Sequence, residues 1–237
     1  EFFAGEGCHW ERLGHLEYTP LPGGEAAVRE PWRMAVTYLR AANPEWAASW
    51  AGGQGLELPW AKLEAARQLG INHPETSSMG RLFDGIAVLC GAPHRVSYEG
   101  EAAIWLENQA DPSEPGRYDW EIADSDGELI VRLAPLISGI YRQLKTGVKG
   151  SVISSRFHRT IAALTVAMVS RITVNSGINQ VILSGGVFQN RLLLELTYAQ
   201  LDAAGFRVII PEILPINDGG VALGQAWFGA LAILEGQ

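Results

Sequence analysis

With 237 residues, 47% of them hydrophobic and 19% charged, the chain has a globular composition and room for one large or two small domains. A formal net charge of −8 argues against non-specific binding to nucleic acid or an anionic membrane, which needs a basic face. The cysteines, Cys8 and Cys90, lie far apart and read as free thiols in a reducing, cytoplasmic compartment. No apolar run approaches the ~20 residues of a membrane span, and no signal-peptide pattern opens the chain. It starts at Glu1 rather than Met, so the expectation is a fragment of a longer polypeptide.

Residues 1–30 mix short extended pieces with turns, notably Pro20-Leu21-Pro22-Gly23-Gly24. Helical periodicity then runs from Arg29 to about Ala42, with Pro31 tolerated in the first turn. A helix over 44–50 is expected to end at Gly52-Gly53, and one over 59–69 to stop at Gly70. Thr76-Ser77-Ser78 offers caps for a helix through Cys90, and another helix fits 99–109. Residues 118–123 and 128–132 predict a β-hairpin around Ser125-Asp126-Gly127. A helix over 135–144 precedes a long one over 149–176, whose buried face carries Ile153, Phe157, Ile161, Leu164, Met168 and Ile172.

The last quarter alternates. Val181-Ile182-Leu183 leads into Ser184-Gly185-Gly186-Val187-Phe188-Gln189-Asn190, and an amphipathic stretch follows to Ala204, closed by Gly205. Val208-Ile209-Ile210 leads into Asn217-Asp218-Gly219-Gly220 and an Ala-rich helix over 221–234, suited to close packing. This is one βαβ unit, so the two strands should be parallel neighbours with both glycine turns at their C-terminal edge. Ligands of open α/β sheets bind at that edge, where helix N-termini present N–H groups to anions. A nucleotide or acyl-phosphate site between the turns is the leading expectation. A doubly wound sheet needs about five strands, and the βαβ unit and the hairpin supply four. The N-terminal residues, or chain lying outside this sequence, would complete it.

Several residues can carry chemistry there. Gly185 and Gly186 permit close backbone approach, and Asn190 can contact a ribose or phosphate or cap its helix. Asp218 can bind a metal beside a phosphate, or cap the last helix. Arg81 and Asp84 share a helix face, for which an exposed ion pair is the plain reading. His158 reads as a packing residue, and Cys8, His9 and His15 lack a zinc spacing.

Together these segments resemble a known family. Glu11-Arg12-Leu13-Gly14-His15-Leu16, Leu21-Pro22-Gly23-Gly24 and Arg29-Glu30-Pro31-Trp32-Arg33-Met34-Ala35 are similar to the hydrogenase-maturation carbamoyltransferases of the HypF family. Residues 76–84, Tyr98-Glu99-Gly100-Glu101-Ala102-Ala103, 183–190 and 217–226 continue the likeness over nearly the whole chain. The transferase module of that family is similar to the enzyme that makes threonylcarbamoyladenosine on tRNA. The resemblance implies an α/β fold of the actin-like, sugar-kinase-like (ASKHA) type, with a largely helical N-terminal portion and incomplete as it stands. Residues 1–30 would be the tail of the first lobe and 31–237 the second lobe. The second lobe would hold a helical region 31–110, a hairpin 117–133 and a nucleotide-binding βαβ core 150–237.

The implied chemistry is transfer of a carbamoyl group from carbamoyl-adenylate to the C-terminal cysteine of the partner HypE, toward the cyanide ligands of nickel–iron hydrogenases. Carbamoyl phosphate and ATP would enter through upstream modules. The resemblance assigns Asp218 to a metal, iron or zinc, and Asn190, Gly185 and Gly186 to the nucleotide. It assigns Asp84 to the ribose hydroxyls, and Gly100 or Glu101 to a further nucleotide contact. Catalytic residues stay unassigned. The family's HxxxH metal histidines are absent from this sequence, so the chain alone is expected to be inactive. A small-molecule O-carbamoyltransferase, or a nucleotide-binding or partner-docking module without catalysis, are the alternatives.

Overall fold

In a computed structural model, residues 1–174 and 176–234 are described. Strands β1 (Phe2–Glu6), β2 (His9–Leu16) and β3 (Thr19–Pro20) open the chain. Helices α1 (Glu25–Arg29), α2 (Trp32–Ala42), α3 (Pro44–Gly53) and α4 (Glu57–Gln68) follow. Then come β4 (Glu75–Thr76), α5 (Met79–Leu89), α6 (Glu101–Gln109), β5 (Glu121–Ser125), β6 (Glu128–Arg132), α7 (Ala134–Lys145) and α8 (Gly150–Thr173). The chain ends with β7 (Gln180–Ile182), α9 (Arg191–Ala203), β8 (Arg207–Ile209) and α10 (Val221–Leu234). The architecture is mixed α/β.

Most expected elements are present, and the differences have local causes. Helix α3 ends at Gly53, within the glycine pair expected to stop it, and buries Ala47 and Ala51. Strand β4 was not foreseen. It pairs two residues with β3, Thr19 with Thr76 and Pro20 with Glu75, too few to produce a period. Helix α8 ends at Thr173; the expected end at 176 runs across Asn175, outside the described residues, as do 235–237.

The chain forms two compact units. The first comprises Leu16–Glu121 and Val131–Thr160. It is mainly helical, with α2 packed against α3, α5 and α7. Met34, Leu39, Leu82, Phe83, Ile86, Ile137 and Phe157 are fully buried there. Phe83 and Phe157 meet edge to face, with ring centroids 4.7 Å apart. His158, also fully buried, sits edge-on to Phe83, and its Nδ1 lies 2.8 Å from the Ser154 carbonyl. Burial lowers its pKa to about 4, so at neutral pH it is an uncharged core residue, as the sequence suggests.

The second unit comprises Glu1–His15, Ile122–Ile130 and the chain from Ile161 onward. It holds a four-stranded sheet in the order β1-β2-β6-β5 and, apart from it, the two-stranded sheet β7-β8. The N-terminal residues thus join the hairpin strands, not the βαβ strands. Asp126 and Gly127 both take positive φ, 56° and 89°, the twist that a two-residue hairpin turn requires. Strands β7 and β8 are parallel and pair Val181 with Val208 and Ile182 with Ile209. Val169 of α8, Leu183 and Leu201 of α9 form a buried cluster, joined by Phe2, Val166, Val181, Phe188, Leu194, Phe206 and Val208. That small core fixes the C-terminal ends of β7 and β8 and the turns that leave them.

Candidate functional site

The two glycine turns lie together. Leu183 N–H donates to the Ile209 carbonyl at 3.0 Å, extending the parallel ladder to its C-terminal edge. Just beyond, Gly185 N–H donates to the Ile216 carbonyl at 2.6 Å, which ties the first turn to the residue preceding Asn217. Gly185 has φ 101° and ψ 154°, a region essentially reserved for glycine. The chain then enters a short 3-10 turn, Gly186–Gln189. A side chain added at Gly186 would come no closer than 3.8 Å to Gln189 and 4.0 Å to Asn217. Its glycine is therefore not demanded by its neighbours in the protein.

Asparagines cap the start of α9 and the 3-10 turn that leads into α10. Asn190 Oδ1 accepts from Leu193 N–H at 2.8 Å and starts α9, and its side chain is buried. In the second turn it is Asn217, not Asp218, that caps: its Oδ1 accepts from Gly219 N–H at 3.0 Å. Asp218 opens a 3-10 turn, Asp218–Gly220, that runs into α10. It is exposed, and its carboxylate makes no hydrogen bond or ion pair among the described residues. The capping alternative for Asp218 is thereby corrected, because the residue before it has taken the role. An asparagine side chain that accepts from the N–H two residues on, as Asn217 does, is a common turn signal.

The other assigned residues belong to the helical unit. Ser78 Oγ accepts from Arg81 N–H at 3.3 Å and starts α5. Arg81 Nη1 lies 2.8 Å from Asp84 Oδ2, and Arg81 Nη2 donates to Glu99 Oε1 at 2.8 Å. The pair was expected on the surface, but Asp84 is 3% exposed. Arg81 Nη1 and Asp84 Oδ2 are close yet poorly aligned, and neither makes a hydrogen bond. Burial pushes the Asp84 carboxyl up to about 6, with Arg81 opposing the shift and Glu99 adding to it. Gly100, at φ 87°, precedes α6, and nothing lies within 4 Å of where a side chain would begin. Glu101 Oε2 accepts from Ser97 N–H at 2.5 Å, fixing that helix start. Asp84 and Gly100 thus share a unit, while Gly185, Gly186, Asn190 and Asp218 share the other.

The iron or zinc implied by the resemblance does not find a site in these residues. Among the described residues no group of three or more His, Cys, Asp or Glu side chains can hold a metal ion. Asp218 offers one exposed carboxylate, and one carboxylate leaves most of a coordination shell unfilled. Burial pushes the Cys90 thiol up to about 12, so at neutral pH it is an uncharged thiol. No helix among the described residues is long and apolar enough to cross a membrane.

Residues 1–225 match the family described as carbamoyltransferase, Kae1-like domain, second subdomain. A carbamoyltransferase HypF homolog of Cupriavidus necator is 35% identical over 93% of this chain and 58% of its own length. HypF of Synechocystis is 33% identical over 91% of this chain and 30% of its own. A tRNA N6-adenosine threonylcarbamoyltransferase of Methanopyrus kandleri is 24% identical over 71% of this chain and 45% of its own. Among solved structures, full-length HypF in a phosphate- and nucleotide-bound form superposes with a TM-score of 0.92 at 35% identity, over 99% of this chain and 30% of that one. HypF of T. kodakarensis superposes with a TM-score of 0.76 at 28% identity, over 95% and 31%. The chain spans about 30% to 58% of the length of these HypF relatives. With the family matched from residue 1 to residue 225 and identity above 30% along nearly the whole chain, this chain belongs to the HypF carbamoyltransferase family.

Proposed function

We propose that the chain is the nucleotide-holding part of a HypF-type carbamoyltransferase, and that the paired glycine turns receive the adenylate. The observation that carries this is the 2.6 Å bond from Gly185 N–H to the Ile216 carbonyl. It draws two strand-to-helix turns together at one edge of parallel strands, the edge at which ligands of α/β sheets bind. Nucleotide binding is further supported by the likeness to a HypF structure in a phosphate- and nucleotide-bound form. Gly186 gives close access to the phosphates, and Asn190 holds the start of α9 against them. Asp218, exposed and unpaired at the start of the second turn, faces the same ligand. The fold is read as one lobe of the actin-like, sugar-kinase-like type.

The reaction proposed is transfer of the carbamoyl group from carbamoyl-adenylate to the C-terminal cysteine thiolate of HypE. The carbon–sulfur bond forms as the bond to the adenylate phosphate breaks, and AMP leaves. No metal-dependent step is assigned to these residues, and the chain alone is not expected to turn over. The test supplies carbamoyl-adenylate and a HypE C-terminal peptide to a HypF polypeptide carrying this segment, and to the chain alone. Thiocarboxamide is expected from the first and not the second, with adenylate bound by both. Transfer to a small hydroxyl compound instead of the peptide would favour an O-carbamoyltransferase. Absence of adenylate binding to the chain would refute the site.

A further inference from the structure

The helical unit holds a cleft that the nucleotide reading does not use. Helix α4 turns one face to it: Trp60, Leu63, Glu64 and Arg67 stand at i, i+3, i+4 and i+7. Arg40 of α2, Pro20 and Pro22 at β3, and His73 just ahead of β4 add to its lining. The cleft is open to solvent and measures about 400 Å³, the space at its mouth included. Its polar groups are unevenly satisfied. Glu64 accepts from Arg67 Nη2 at 2.7 Å and from Arg40 Nε at 3.0 Å. Further bonds from the same two guanidinium groups fill both of its oxygens. Those bonds, Arg67's foremost, hold the Glu64 carboxyl below the usual carboxylate range, so it stays ionised. Two guanidinium groups thus face one carboxylate, and one positive charge is left over. Arg40 Nη1 and Arg67 Nη1 donate to no protein group among the described residues. Both ring nitrogens of His73 are buried, and neither has a hydrogen-bond partner among the described residues. Native structures leave few buried polar atoms in that condition, because each is destabilising.

The ligand that meets these demands carries a single negative charge. A cation is disfavoured, because Glu64 has no oxygen to spare and the group around it is positive. A dianion such as a phosphomonoester would set more negative charge beside Glu64 than one spare positive charge offsets. A planar carboxylate matches the guanidinium N–H groups and accepts from an imidazole N–H as well. An apolar body on that carboxylate packs against Trp60, Leu63 and the two prolines. We propose that this cleft binds a small monocarboxylate with an apolar body, an aromatic or branched aliphatic acid, held by Arg40, Arg67 and His73. The proposal does not rest on the nucleotide site, since Gly185, Gly186, Asn190 and Asp218 belong to the other unit.

The test uses benzoate as the probe, titrated into the chain and followed by NMR at the Trp60 indole N–H and the His73 ring nitrogens. Trp60→Phe and His73→Phe assign those signals. Both should shift and saturate, with a dissociation constant of about 1 mM or below. Benzamide, neutral and of the same shape, should bind at least roughly tenfold more weakly, and benzylamine should not bind. Arg40→Gln and Arg67→Gln should each weaken benzoate by roughly fivefold or more. Their side chains are 30% and 35% exposed, so both variants should fold, which circular dichroism and thermal midpoints verify. If both lose the fold, the ratio of benzoate to benzamide affinity in the unsubstituted chain decides. No saturable shift at either residue up to about 20 mM benzoate overturns the proposal. Equal affinity for benzoate and benzamide, or unchanged affinity in folded Arg40→Gln and Arg67→Gln, overturns it too.

Discussion

Gly185 and Gly186 are adjacent in sequence, but their replacement should separate folding from binding. Gly185 occupies φ 101° and ψ 154°. An alanine there has no contact to fear, since nothing lies within 4 Å of the added carbon, so the whole cost is backbone strain. Conformations of this kind cost on the order of 1–3 kcal/mol in a non-glycine residue. For a chain of this size each kcal/mol lowers the thermal midpoint by about 2–4 °C. Gly185→Ala should therefore melt between about 2 and 12 °C lower.

Gly186 does not carry that φ, and its added carbon would meet only ordinary contacts at 3.8 and 4.0 Å. It starts a 3-10 turn, where alanine also loses less chain entropy. Gly186→Ala should leave the midpoint unchanged or slightly higher. If the adenylate approaches that backbone closely, the new methyl displaces it, and titration calorimetry should show binding weakened by at least roughly tenfold, about 1.4 kcal/mol. Scanning calorimetry and titration on the two variants give four numbers. Equal midpoints for Gly185→Ala and the unsubstituted chain would refute the turn geometry. Unchanged affinity for Gly186→Ala would refute the ligand's place.

Three further outcomes are expected. Gly220→Ala places a carbon 2.6 Å from the Pro215 carbonyl oxygen, so the second turn must open, with a stability loss of about 1–3 kcal/mol in urea melts and weaker adenylate binding. Asp218→Asn should not change the thermal midpoint by more than about 1 °C, because Asn217 holds the cap. The chain alone should show no stoichiometric zinc or iron by elemental analysis, with or without that substitution. The third outcome concerns pH. The Asp84 carboxyl is raised from 3.8 to about 6, so its contribution is fully present below 3.8 and is lost as pH rises through 6. His158 is lowered from 6.5 to about 4, so its contribution is present above 6.5 and is lost as pH falls through 4. Each is worth about 3 kcal/mol and they oppose one another. His158→Gln should gain stability on acidification from pH 7 to 4, and Asp84→Asn should lose it, by urea midpoints. Parallel profiles for the two variants would refute both assignments.

The sequence alone determined the parts of this protein that depend on neighbours along the chain. The hairpin was legible because Asp126-Gly127 is a dipeptide that tolerates positive φ twice. The βαβ unit was legible because two apolar runs each lead into a glycine turn, and a parallel pair with a helical crossover is the only short way to join them. The buried face of α8 followed from its period, with Ile153, Phe157, Ile161, Leu164 and Met168 all in the core. Family membership was legible as well, since its motifs are runs of adjacent residues. What only the tertiary structure decided are the contacts between residues far apart. Asn217 rather than Asp218 caps, because the turn brings its oxygen, and not the carboxylate, to Gly219 N–H. The Arg81–Asp84 pair is buried, because α5 is covered on nearly all sides and an i,i+3 spacing carries no information about depth. The N-terminal strands joined the hairpin rather than the βαβ pair, because strand pairing follows from packing and not from any local signal. The reverse case is α10. Its apolar sequence reads as interior, yet its residues remain on the surface, because a helix is buried only where there is something to bury it against.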